Sequence, residues 1–134
     1  MKFLIDTHIL IWAVYEKAKL STTAKTILQD KNNEIYYSIL SIFEIELKRS
    51  SHPEQIPITS ERIMALADEI GFLQMPLKIE HILEFNKLKR PDNVPPHKDP
   101  FDKLIVCQSI AEKIFFLTHD SRIAEYDCPN ILKI

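Results

Sequence analysis

A single glycine, Gly71, stands among the 134 residues of the chain. With one glycine, neither a G-x-G-x-x-G turn nor a Walker loop can be built. Enzymes that cradle nucleotide phosphates in glycine-rich loops are therefore excluded. Cysteine is almost as scarce. Cys107 and Cys128 make no disulfide framework and no C-x-x-C pair, and Cys107 lies in an apolar helical run as a small core residue. Long hydrophobic runs are missing too, since a stretch such as Ile114 to Leu117 is far too short to cross a bilayer. The first residues meet Asp6 at once, without the apolar core of a signal peptide, so a cytoplasmic protein away from membranes is expected. Neither charge is in excess. The net value of −2 argues against holding nucleic acid by bulk charge and leaves room for a local basic rim. The histidines His8, His52, His81, His97 and His119 show no H-x-x-x-H or Cys/His spacing, so a zinc site is not expected.

What is present fits one soluble globular domain over residues 1–134, with 46% hydrophobic and 27% charged residues. Lys2 to Ile5, a short apolar, branched run, reads as a buried strand, and Glu34 to Ser38 after the turn-prone Asn32-Asn33, Phe72 to Met75 before Pro76, Ile114 to Thr118 and Ile131 to Ile134 read as further strands. Helical spacing or capping marks Thr7 to Tyr15, Ser21 to Asp30, a helix from Ser38 or Ser41 through Arg49, and Ser60 to Ile70 with Ser60 as cap and Gly71 as stop. A helix over Lys78 to Leu88 is expected to turn Ile79, Ile82, Leu83 and Phe85 inward. Asp99 and Pro100 open another helix, to about Lys113, and Ser121 to Tyr126 a short one. Ser51 to Thr59 and Arg90 to Pro96 are proline-bearing connectors. Alternating strands and helices predict a three-layer α/β domain with a mostly parallel sheet.

Four acids then stand out. In an open parallel sheet, functional groups gather beyond the carboxyl ends of the strands. Asp6 ends the first strand and Asp120 follows the fourth. Glu44 lies about one and a half turns into the helix after strand two, and Asp102 lies in the first turn of the helix leading to strand four. Carboxylates sharing one pocket repel unless a cation neutralises them. Hard oxygen ligands suit Mg²⁺ or Mn²⁺, and such an ion activates water for in-line attack on a phosphodiester. Each acid also has a structural role open to it. Asp6 and Asp120 are good helix caps, Glu44 can pair with Lys48, and Asp102 can complete a capping box with Asp99. Spacing leaves both readings standing.

The segments Phe3-Leu4-Ile5-Asp6-Thr7-His8 with Trp12, Ser38 to Lys48 around Glu44, His97-x-Asp99-Pro100-Phe101-Asp102-Lys103-Leu104-Ile105, and Leu117-Thr118-His119-Asp120 with Tyr126 resemble, in order, the motifs of PIN-domain proteins. In detail they are similar to VapC-like toxins of type II toxin–antitoxin pairs, in the subgroup with an H-x-D-P-F-D motif. The resemblance covers residues 2 to 130. It implies a PIN fold of sheet order 3-2-1-4-5 and a metal-dependent endoribonuclease. Asp6, Glu44, Asp102 and Asp120 would be the catalytic and metal-holding quartet for Mg²⁺ or Mn²⁺, with Asp99, Thr7 and Thr118 in support. It also implies a homodimer and a small antitoxin partner. Lys48, Arg49, Lys98 and Lys103 are candidate RNA contacts. Lys103 stands where the family often has arginine, which keeps the charge and loses the planar fork.

Two other readings compete. One is a PIN-like module that binds RNA or protein without catalysis. The other is a haloacid-dehalogenase-type phosphatase with Asp6 as nucleophile, a family that wants a second Asp where this chain has His8.

Overall fold

The computed structural model describes residues 1–95 and 99–134; the expectations placed on Pro96, His97 and Lys98 lie outside them. Five strands, β1 (Lys2–Ile5), β2 (Glu34–Ser38), β3 (Leu73–Met75), β4 (Phe115–Thr118) and β5 (Ile131–Lys133), form one sheet of order β3-β2-β1-β4-β5. Every pairing in it is parallel. The helices are α1 (Thr7–Val14), α2 (Thr22–Gln29), α3 (Ile39–Ser51), α4 (Ser60–Glu69), α5 (Ile79–Leu83), α6 (Pro100–Glu112) and α7 (Ser121–Ala124).

Strand alternation builds the three layers. Phe3 and Ile5 of β1 face one way, with Ile35, Tyr37 and Leu117, into a core shared with Ile9, Leu10, Ala24, Ile45 and Ile63. Leu4 and Phe116 face the other way, against Ile105, Val106, Cys107 and Ile123. A fully buried Ile or Leu contributes about 2 kcal/mol relative to exposure, and both sheet faces are covered, as a parallel sheet requires. The strand order reverses between β1 and β4, so their carboxyl ends open the crevice where such folds gather functional groups.

Two expectations are corrected. Thr59, not Ser60, caps α4, accepting from the Arg62 N–H, while the Ser60 hydroxyl donates to Glu46 Oε1 at 2.5 Å. The helix expected over Lys78 to Leu88 is only five residues long, with Ile79, Ile82 and Leu83 facing outward. His81 is the residue that goes inside. Its two ring nitrogens explain why it can: Nδ1 accepts from the Lys78 N–H at 3.1 Å and Nε2 meets Glu112 Oε2 at 3.0 Å. A satisfied polar ring docks where the apolar pattern pointed to isoleucine.

Candidate metal centre

Asp6 sits at the end of β1, buried, and caps α1 through Oδ1, which accepts from the Ile9 N–H at 2.8 Å. Its Oδ2 accepts from the Thr118 hydroxyl at 2.5 Å and from the His119 N–H at 3.4 Å. Burial pushes the Asp6 carboxyl above its ordinary range, and the Thr118 and Ile9 bonds pull back against that. Oδ1, with one bond, keeps a lone pair beyond it. Thr118 does double duty, because its hydroxyl also accepts the Asp120 N–H at 2.9 Å.

Asp120 caps α7, and its carboxylate takes the Arg122 guanidinium, Nη2 at 3.3 Å and Nε at 3.4 Å. The Arg122 pKa rises, first from its hydrogen bond and charge contact with Asp120 and then from the fields of Asp102 and Asp99.

Glu44 is the odd group. It is half-buried on α3, its Oε1 is buried, and that atom has no hydrogen-bond partner among the described residues. The ion pair with Lys48 is not formed. Burial, then the Asp102 and Asp99 carboxylates, push the Glu44 pKa up to about 8, with Asp6 adding to the rise and the Thr7 hydroxyl softening it. The carboxylates of Glu44, Asp99 and Asp102 each bring one oxygen to within 4.8 Å of the others. A carboxylate with one buried, donorless oxygen, set beside two more acids, is a poor solution for a protein alone and a natural one for a hard cation.

Residues 3–128 match the PIN domain. The chain belongs to the PIN-domain family. The family is one of nucleases that generally use divalent metals. No curated protein matches the chain. Among solved structures, the fold is similar to a chain in the crystal structure of VapBC2 from Rickettsia felis bound to a DNA fragment from their promoter. The TM-score there is 0.64 at 17% identity, covering 100% of this chain and 98% of that one.

Within this PIN fold the expected residues fall into two sets. Glu44, Asp102 and Asp99 converge directly. Asp6 and Asp120 are joined to each other through Thr118, and the field of Asp6 reaches Glu44. Asp99 does more than the sequence suggested. It caps α6 through Oδ1, accepting from the Phe101 and Asp102 N–H groups at 2.9 and 3.3 Å, and it belongs to the converging set as well. Thr7 donates to Ser41 Oγ at 2.9 Å, an α3 partner that spacing did not single out.

The basic candidates divide. Arg49 Nη1 donates to the Ile56 and Ile58 carbonyls at 2.6 and 2.7 Å and so clasps the loop before α4. Lys48 is exposed. Lys103 Nζ lies 4.2 Å from the centre of the Phe85 ring. Lys98 lies outside the described residues.

Proposed function

We propose that this PIN domain is a metal-dependent endoribonuclease and the toxin of a toxin–antitoxin pair. The observation that carries the catalytic reading is the convergence of Glu44, whose buried Oε1 has no hydrogen-bond partner among the described residues, with Asp99 and Asp102. Glu44, Asp102, Asp6 and Asp120 would hold one or two Mg²⁺ or Mn²⁺ ions, and their all-oxygen donor set fits those ions. A bound ion supplies activated water and charge stabilisation at the scissile phosphate.

The chain's own residues supply the positioning. Thr118 fixes the Asp6 carboxylate and, through its backbone bond, the start of the Asp120 turn. Asp99 fixes the first turn of α6, and with it the place of Asp102. Glu44, with its pKa pushed up to about 8, is the group that carries a proton at neutral pH and gives it up when positive charge arrives. Lys48 and Lys103 are the described lysines proposed to meet phosphates.

Partners follow the same reading. The likeness to a VapBC2 chain and the motif order support an antitoxin partner. Ile39, Phe43 and Leu47 recur at i, i+4 and i+8 on α3 and are all exposed, as are Ile79, Ile82 and Leu83 of α5. Exposed apolar surface of this kind supports coverage by protein, and we assign it to a homodimer and the antitoxin together. No helix among the described residues is long and apolar enough to cross a membrane; a cytoplasmic site of action is part of the toxin reading.

The test is cleavage of a mixed RNA pool by purified protein, in Mg²⁺ or Mn²⁺ against EDTA, for wild type and Asp6→Asn. Metal-dependent cutting that disappears in Asp6→Asn supports the reading. Cutting that survives the substitution sinks the assigned site. No cutting with any metal, from protein free of a bound partner, favours the binding module.

A further inference from the structure

We propose that the cleft beside Asp120 seats one unpaired base of the RNA substrate, stacked against the Trp12 indole. This rests on the ribonuclease reading and names a recognition site within it. The cleft encloses about 420 Å³ and is lined by His8, Trp12, His119, Asp120, Ser121 and Arg122. That is room for a single nucleotide. Bases stacked inside a duplex cannot enter, so the occupant is single-stranded.

Three rings form the aromatic lining. Trp12 projects from α1, with the His8 ring 5.9 Å away at 48° and the His119 ring edge-on at 5.2 Å and 71°. His119 is held in this pose at both ends. Its Nδ1 meets the Ile134 carbonyl at 3.0 Å, and its N–H donates to Asp6 Oδ2. Trp12 packs partly on the core, which explains an apolar residue at that position. Core packing does not explain two exposed histidines arranged around its ring in an open cleft.

Arg122 adds the charge. Its side chain is 71% exposed and is oriented by Asp120, and a guanidinium both stacks on bases and pairs with phosphate. Aromatic faces joined to a cation are the usual means of holding single-stranded nucleic acid. The placement says which nucleotide is read. Asp120 lines the cleft and is tied through Thr118 to Asp6, so the seated base neighbours the phosphate to be cut.

Trp12 is the only tryptophan in the chain, so indole fluorescence reports on this cleft without any need for catalysis. The Asp6→Asn protein, in Mg²⁺ at low salt, is titrated with oligoadenylate, with oligouridylate, and with an abasic ribose-phosphate strand of equal length. Saturable quenching by at least one base-carrying strand and none by the abasic strand is the expected result. His8→Ala and Arg122→Gln should each weaken the base-carrying strand, and Trp12→Leu, which has no indole and is followed by the anisotropy of end-labelled strands, should lose the preference over the abasic strand, a loss of about tenfold or more. If Trp12→Leu fails to fold, the two exposed substitutions still decide.

Equal quenching by the abasic strand overturns the proposal. So does wild-type protein that cuts RNA while Trp12 stays blind to every base, as it would if the cleft received a side chain of a protein partner; the ribonuclease reading then stands. Protein that neither cuts nor quenches removes both.

Discussion

The Thr118 hydroxyl donates to Asp6 Oδ2 at 2.5 Å, linking the carboxyl ends of the two central strands by one side chain. Because the same oxygen accepts the Asp120 N–H, removing it would leave Asp6 Oδ2 only the 3.4 Å bond from the His119 N–H and take the hydroxyl partner from the Asp120 N–H. Thr118→Val is expected to cost about 1–3 kcal/mol in urea unfolding and to lower RNA cleavage more than that loss explains. Thr118→Ser should restore most of both. A valine variant as stable as wild type would show that the bond contributes nothing.

Glu44 gives a pH dependence with a definite sign. Unfolded, its carboxyl titrates near 4.5; folded, burial and the Asp102 and Asp99 charges move it to about 8. Between those values the folded state holds a proton that the unfolded state has released. Its contribution to stability is therefore greatest below 4.5 and is lost as pH rises to 8, by an amount on the order of a few kcal/mol, less what partial exposure screens. Metal-free wild type should weaken over that window, and Glu44→Gln should flatten the curve and stabilise the metal-free protein at neutral pH. An unchanged slope in Glu44→Gln would assign the titration to another group.

The same shift predicts proton release. Titration of Mg²⁺ or Mn²⁺ at neutral pH, in buffers of different ionisation enthalpy, should show about one proton leaving per occupied site. Glu44→Gln should abolish that buffer dependence. Heats that do not vary with the buffer would mean that the ion binds without Glu44.

Arg49 and the lysines separate by assay. Arg49→Ala removes the clasp on the Ile56 and Ile58 carbonyls and should cost about 1–3 kcal/mol of stability while leaving the salt dependence of RNA binding unchanged. Lys48→Ala and Lys103→Ala should behave the other way, each lowering the salt slope by about one. A lower slope in Arg49→Ala would return Arg49 to the RNA contacts.

The sequence was most legible where local chemistry and global packing agree. Glu34 to Ser38 joins an isoleucine and two tyrosines to the turn-prone Asn32-Asn33 before it, and it is the second strand end to end. Asp6, Asp99 and Asp120 were legible as caps, and all three cap. Periodicity failed at α5, because it reports that a helix has an apolar face without saying what that face meets. Ile79, Ile82 and Leu83 point outward while His81, between Glu112 and the Lys78 amide, fills the interior. The convergence of Asp99 with Glu44 was hidden for a related reason: a good cap already accounts for the residue, so nothing local asks for a second role. His8 and Trp12 share a face of α1 at i and i+4, but His119 lies too far along the chain for spacing to join it to them.

Lys113 ends α6 in the left-handed region, at φ 59°, where a glycine would sit without strain. Lys113→Gly is expected to stabilise the protein by about 1 kcal/mol in urea unfolding, with RNA cleavage unaffected. A destabilised variant would mean that the lysine side chain contributes more than its backbone costs.

The bond between residues 6 and 118 spans 112 positions of sequence, and this dictates when the site can exist. A growing chain on the ribosome carries Asp6 from the start and Glu44 soon after, but nothing orders the strand edge until β4 has emerged and paired with β1. A protein proposed to cut RNA therefore lacks the Asp6–Thr118 link on the ribosome until residue 118 has emerged. Closing so long a loop is a late and slow kind of step in folding, so the assembled site belongs to the finished fold and not to its early intermediates.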